Sequence, residues 1–266
     1  MARRSAVPLL LLALTLISWL SPCSAVDQPR DVLYQTSTID ALLAGIYDGT
    51  VTFQELSAHG DFGLGTFSAL DGEMIAVDGV FYQIRADGIA RPVPDTMTTP
   101  FAAVTFFDRD LHASIQQALD FPSLTALLDS LLPSKNLFYA IRIEGEFAHV
   151  KTRSVPKQQK PYPKLVDVVA EQPTFDLRQV SGTMVGLRCP AYVEGINVPG
   201  YHFHFLDKAR SRGGHVLDCR VQQAVIWVDI TPDFQLSLPE SGDFLTLQPA
   251  QDPHQVQAVE QQHNNP

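Results

Sequence analysis

The sequence is poor in cysteine, in positive charge and in long apolar runs, and each shortage narrows what the chain does. Three cysteines in 266 residues leave room for one disulfide at most. Cys23 falls in the leader described below, and Cys189 and Cys219 are either one bridge of an exported protein or two buried thiols. Lys and Arg number 19 against 29 Asp and Glu, a formal charge of −10, with no basic cluster. That balance argues against nucleic acid as a partner and gives no reason to bind an anionic membrane. A small anionic substrate would need a local cation to overcome the global field. Beyond residue 25 no stretch reaches the roughly 18 apolar residues of a transmembrane helix. There is no Gly-x-Ser-x-Gly nucleophile elbow, and "GLGTFS" lacks both the third glycine and the lysine of a phosphate loop.

The one long apolar run comes first. Arg3 and Arg4 precede "AVPLLLLALTLISWL", and "SPCSA" ends at the small residue Ala25. This is the pattern of a secretory signal peptide over residues 1–25. Its removal takes away two arginines and leaves a charge of −12 on an exported, periplasmic or extracellular protein.

In the rest, "STIDALLAGIYDG" has helical spacing with Ser37 as its cap and Gly49 as its stop. From "VTFQEL" onward short β-rich runs take over, with hairpin turns at Asp78-Gly79 and Asp87-Gly88. "FPSLTALLDSLL" reads as a short helix capped by Ser123. "SVPKQQKPYPK", residues 154–164, is a proline- and lysine-rich connector. Past it, "KLVDVVA", "QVSGTMVGLRC", "GYHFHFL", "HVLDCRVQQAVIWVDI" and "FQLSLP" all read as strands. The expected class is α+β: a mixed, β-rich amino-terminal half (residues 26–155), a β-barrel-like metal-binding half (156–247) and a polar tail (248–266).

"PGYHFHFLDKARSRGGHVLDC", residues 199–219, holds three of the eight histidines. On a strand alternate residues share a face, so His202 and His204 project together while Tyr201, Phe203 and Phe205 anchor the other face. The Gly-rich reversal then delivers His215 to the next strand, opposite the pair. Three imidazoles that leave a fourth position open are a catalytic rather than a structural metal arrangement. Zinc leads for such a set, with copper, iron and nickel open. Asp207 and Asp218 are candidates to orient the imidazoles. Single histidines are more often core or surface residues, but two in strict alternation plus a third on the adjoining strand are harder to explain that way.

"GYHFHFLDKARSRGGHVLD" resembles the zinc-binding segment of the α-acetolactate decarboxylases, and "GLGTFSALDGEMIAVDGVFYQI" and "KNLFYAIRIEGEFAHVKTRSVPKQQKPY" resemble that family in the same order. The similarity runs from about residue 31 to about 247. It implies an enzyme converting 2-acetolactate to acetoin and CO2, with Zn2+ held by His202, His204 and His215. It further implies a metal-stabilised enediolate and protonation from one face. By the family pattern Glu73 in "LDGE" and a second carboxylate, for which Glu260 is the nearest match, are the acid/base groups. Thr66 and Arg153 in "KTRSVP" complete the implied site, Arg153 as a planar fork for the substrate carboxylate. Taken alone, Glu73 reads as an exposed turn glutamate, Arg153 as a solvated arginine and Thr66 as an ordinary strand threonine. The expected partner is a small 2-hydroxy-3-keto acid, and a homodimer is left open.

Other classes stay in view. A cupin also uses a His-x-His strand but normally carries a glutamate three or four residues on, where this chain has Lys208 and Ala209. A carbonic-anhydrase-like site would use the same three imidazoles. A Schiff-base decarboxylase would draw on Lys151 or Lys164, neither with a cationic neighbour to lower its pKa. A non-enzymatic exported metal-binding protein is the fourth reading.

Overall fold

The computed structural model describes residues 30–248 together with Val256 and Val259, so the leader and Glu260 lie outside the described residues. In chain order the elements begin β1 (Val32–Thr36), α1 (Ile39–Leu43), β2 (Val51–Thr52), α2 (Phe53–Ser57), β3 (Phe62–Thr66), β4 (Glu73–Val77), β5 (Val80–Ile84), β6 (Ala90–Pro92), β7 (Thr98–Thr99) and β8 (Ala102–Thr105). They continue with β9 (Leu111–Ile115), β10 (Leu119–Asp120), α3 (Phe121–Leu131), β11 (Phe138–Arg153), α4 (Leu165–Val169), β12 (Thr174–Cys189), β13 (Gly200–Asp207), β14 (Gly213–Thr231) and β15 (Asp233–Ser237). The fold is sheet-rich α+β. No helix among the described residues is long and apolar enough to cross a membrane.

Two large sheets carry the structure. A seven-stranded sheet runs β15-β1-β8-β3-β4-β5-β6, and a six-stranded one runs β10-β14-β11-β12-β13 with β9 on β14. β13 also pairs with the start of β14. The connector at residues 154–164 does not separate the sheets. β9, β10 and β11 precede it yet belong to the six-stranded sheet, and β15 follows it yet lies parallel to β1 in the other.

Strand alternation sorts the side chains into layers. Phe203 and Phe205 of β13 join Ile141, Ile143, Phe147 and Met184 in one core cluster. Ile75 and Val77 of β4 pack with Ala140, Val185, Leu187 and Leu206 in a second cluster drawn from both sheets. At about 1.5–3 kcal/mol for each fully buried large apolar side chain, these layers fix which face of β4 and of β13 looks inward.

The local signals are mostly the expected ones, with several corrections. The β4–β5 hairpin turns at Asp78-Gly79 with φ of 54° and 75°, the doubly left-handed turn that favours Asp-Gly. Helix α1 is capped by Thr38, whose hydroxyl accepts from the Ala41 amide, not by Ser37. It stops before Gly45 at φ 87° rather than at Gly49. Helix α3 is capped by Asp120, whose carboxylate accepts from the Ser123 amide. "VTFQEL" is not wholly extended: Thr52 and Glu55 form a reciprocal capping box that starts α2. "KLVDVVA" is likewise helical, as α4, because Leu165, Val168 and Val169 bury one side of a turn against α1 and Val198. Cys189 and Cys219 are buried free thiols in separate core clusters.

Candidate metal centre and active site

The site forms where the inward faces of β4 and β13 meet. On β13, His202 and His204 alternate with Phe203 and Phe205, so anchoring the rings in one cluster turns the imidazoles toward the other sheet. Register places His204 directly opposite His215 on β14, and His215 directly opposite Arg153 on β11. At the register shift between Lys151 and Thr152 the extra residue is Leu217 of β14, a bulge close to His215 of the kind by which strands re-aim a residue. On β4, Glu73 shares its face with Ile75 and Val77, which the inter-sheet cluster buries.

The three imidazoles converge. His202 Nε2 lies 3.2 Å from His204 Nε2 and 3.0 Å from His215 Nδ1, and the three residues are 7%, 1% and 1% exposed in chain order. His204 Nδ1 lies 2.8 Å from the Met74 carbonyl. A carbonyl only accepts, so that nitrogen carries the proton and Nε2 keeps its lone pair for a ligand. Burial, and then the neighbouring His202, push the His204 imidazole well below the usual histidine range; Arg153 adds to this, and the Met74 hydrogen bond opposes it. A neutral ring is the ligating form.

This donor set fits a tetrahedral metal. Nitrogens about 2.0–2.1 Å from a zinc ion stand roughly 3.3–3.4 Å apart, close to the separations here. His202, His204 and His215 each offer one ligand atom to such a group. Neither Asp207 nor Asp218 supports the rings. Asp207 takes the Ser211 and Arg212 amides within its own turn, and Asp218 faces His149. The orienting acceptor is a main-chain carbonyl, which no side-chain pattern reveals.

The remaining site residues surround the trio. Arg153 Nη1 donates to Glu73 Oε1 at 2.8 Å, with the two side chains 3% and 7% exposed. The other carboxylate oxygen, Oε2, is 3.6 Å from His204 Nε2. Thr66 lies opposite Glu73 in register, and its hydroxyl donates to the Gly72 carbonyl at 2.7 Å. Thr66 thereby braces the turn that delivers Glu73. Arg153 Nη2 also donates to the Val259 carbonyl at 3.3 Å, and Val256 and Val259 are buried with α1, α4 and Phe101. A cavity lined by His202, His204, Glu73, Arg153, Thr66 and apolar Leu42, Leu70, Phe101, Val155 and Leu165 collects these groups. The apolar lining was not foreseen from sequence, because it comes from α1, α4 and loops scattered along the chain. Of the other histidines described, His59 stacks on Tyr34 and His149 pairs with Asp176, away from the cavity.

Comparison with known proteins places this fold. A family profile described as alpha-acetolactate decarboxylase matches residues 33–249. The alpha-acetolactate decarboxylase of Methanosarcina mazei is 53% identical over 218 residues, 82% of this chain and 76% of that one. Its counterpart from Methylococcus capsulatus is 53% identical over 80% of this chain and 82% of its own. The crystal structure of alpha-acetolactate decarboxylase from Bacillus subtilis strain 168 superposes with a TM-score of 0.84 at 41% identity, covering 86% of this chain and 99% of that one. The protein is therefore a decarboxylase by class, a carbon–carbon lyase. The chain belongs to the alpha-acetolactate decarboxylase family.

Proposed function

We propose that this protein decarboxylates 2-acetolactate to acetoin and CO2 with a zinc ion held by His202, His204 and His215. The observation that carries the reading is a cavity lined by His202, His204 and the buried Arg153–Glu73 pair, with His215 converging on His202 beside it. The chemistry that bound zinc supplies is Lewis-acid stabilisation of the negative charge left on the substrate as CO2 departs. Stabilising charge that develops in the transition state is what raises the rate.

Arg153 presents a planar donor fork to the substrate carboxylate. It also supplies the local cation that a protein of charge −10 needs to attract an anion. Glu73, ionised beside Arg153, takes a proton from the substrate hydroxyl. It returns one to the carbon that has lost CO2, with solvent restoring the balance of one proton per turnover. Because Arg153 holds one oxygen of Glu73, the other delivers from a fixed direction, and the product is a single enantiomer. Glu260 follows Val259, whose carbonyl accepts from Arg153, and is the second acid/base candidate. The apolar wall of Leu42, Leu70, Phe101, Val155 and Leu165 favours the methyl groups and excludes water. The apolar leader at residues 1–25 supports export before the enzyme acts.

The test is release of CO2 and acetoin from racemic 2-acetolactate by purified protein, before and after metal stripping and after zinc is restored. Release that disappears with the metal and returns with zinc is expected. Turnover unaffected by stripping overturns the zinc assignment, and zinc binding without any release overturns the activity.

A further inference from the structure

A second ligand cluster lies apart from the histidine centre and shares no residue with it. Asp31 immediately precedes β1, Asp108 and Asp110 lie between β8 and β9, and Asp229 sits near the end of β14. One carboxylate oxygen from each of Asp31, Asp110 and Asp229 lies within 4.8 Å of the others. The backbone is tied around them: the Asp233 amide donates to the Asp31 carbonyl at 3.2 Å and the Asp110 amide to the Val228 carbonyl at 3.0 Å. Asp110 Oδ2 accepts from the Ile230 amide at 2.8 Å.

Asp229 is the anomaly. It is 0% exposed. Its Oδ2 accepts only a long hydrogen bond of 3.3 Å from the Asp108 amide, and its buried Oδ1 takes none from any described residue. A buried carboxylate held by one long hydrogen bond, with its second oxygen unsatisfied, is costly, and here it faces two further carboxylates. Of the flanking cations, Arg30 is engaged by Asp108 and stands largely in solvent, and Arg109 lies over the Trp227 ring. Burial first, then the charges of Asp110, Asp31 and Asp108, push the Asp229 carboxyl up to about 7, with the Asp108 amide only partly offsetting them.

We propose that Asp31, Asp110 and Asp229 form a divalent-cation site of the calcium class, binding an ion that clips the start of β1 to β14 and so ties the two sheets together. Oxygen-only donors on three separate segments suit a hard cation of flexible coordination, and the absence of imidazole or thiolate from the trio sets it apart from a zinc site. Asp31 and Asp110 are exposed and give the ion an entry path, while Asp229 closes the inner side.

The experiment uses zinc-loaded full-length protein dialysed against buffer freed of calcium by ion exchange, followed by CaCl2 titration. Calorimetry is expected to show one calcium per chain beyond the zinc, and the thermal midpoint is expected to rise with calcium. Asp229→Asn, which removes the buried charge, is expected to unfold at or above the native temperature without calcium and to gain nothing from it. Asp31→Asn, at an exposed position, is expected to fold normally and to weaken calcium binding about tenfold or more; this variant decides the matter if Asp229→Asn does not fold. A native midpoint unmoved at about 10 mM calcium, well above the ~0.1–1 mM range of extracellular calcium modules, overturns the proposal. So does an equal response in both variants, or an equal response to MgCl2.

Discussion

Arg153 Nη1 and Glu73 Oε1 stand 2.8 Å apart, joining the last residue of β11 in one sheet to the first residue of β4 in the other. Both side chains are almost wholly buried, so neither charge has solvent to fall back on. Replacing Arg153 with Ala takes away the cation that pairs with a buried carboxylate and is expected to destabilise the protein by about 3–5 kcal/mol. Denaturant unfolding measures this, and a loss below about 1 kcal/mol would show that the pair is solvated in solution.

Arg153→Lys separates the fork from the charge. An ammonium retains the pairing with Glu73 but cannot present parallel donors to a carboxylate. Zinc content and thermal midpoint are expected to stay near native while kcat/KM falls by about 10²-fold, the scale of a lost substrate-orienting contact. Normal turnover in this variant would return Arg153 to a purely structural role.

Glu73→Gln keeps the shape and still accepts from Arg153 but no longer exchanges a proton. The expected outcome is retained metal with kcat lowered by about 10²–10⁴-fold, the usual worth of a general acid–base group. Chiral chromatography of the residual product adds a second readout: loss of enantiomeric purity is expected, because the fixed proton donor has gone.

His204→Ala removes the imidazole whose orientation the Met74 carbonyl sets. The strand itself is held by Phe203 and Phe205 on the opposite face, so unfolding is expected to remain cooperative. Metal analysis should find most of the zinc gone and activity at background. Full zinc occupancy would mean that His204 is not a ligand.

The two core thiols offer a check on the fold. Burial pushes the Cys189 thiol up to about 12 and raises that of Cys219 as well, and thiolates rather than thiols react. Neither is expected to modify with a thiol reagent in the native state, and both are expected to react once the protein is unfolded, with no reductant required. A requirement for reductant would reveal a bridge.

Legibility followed the range of the physics. Hairpins set by Asp-Gly turns and strands of alternating pattern were readable, because turn chemistry and side-chain alternation are local. The helix caps fall at Thr38 and Asp120 rather than at Ser37 and Ser123, because neighbouring polar residues compete for the same orphan amides. The segment of α4 reads as a strand because "LVDVV" has β-branched composition, and burial against α1 overrides that propensity. The assignment of β15 to the amino-terminal sheet was invisible, since parallel pairing with β1 links residues some two hundred positions apart.

The sequence by itself determined the class and the candidate metal-ligating histidines. The spacing His-x-His, a Gly-rich reversal and a third histidine on the next strand forces three imidazoles onto one face once those segments pair. Tertiary structure decided everything that depends on the two sheets meeting. It turned Glu73, an apparent turn residue, into a buried carboxylate on Arg153. It supplied the Met74 carbonyl that orients His204, and it gathered Asp31, Asp110 and Asp229 from three distant segments. The physical reason is that strand alternation is local, whereas which face is buried, and against what, is settled only when the layers pack.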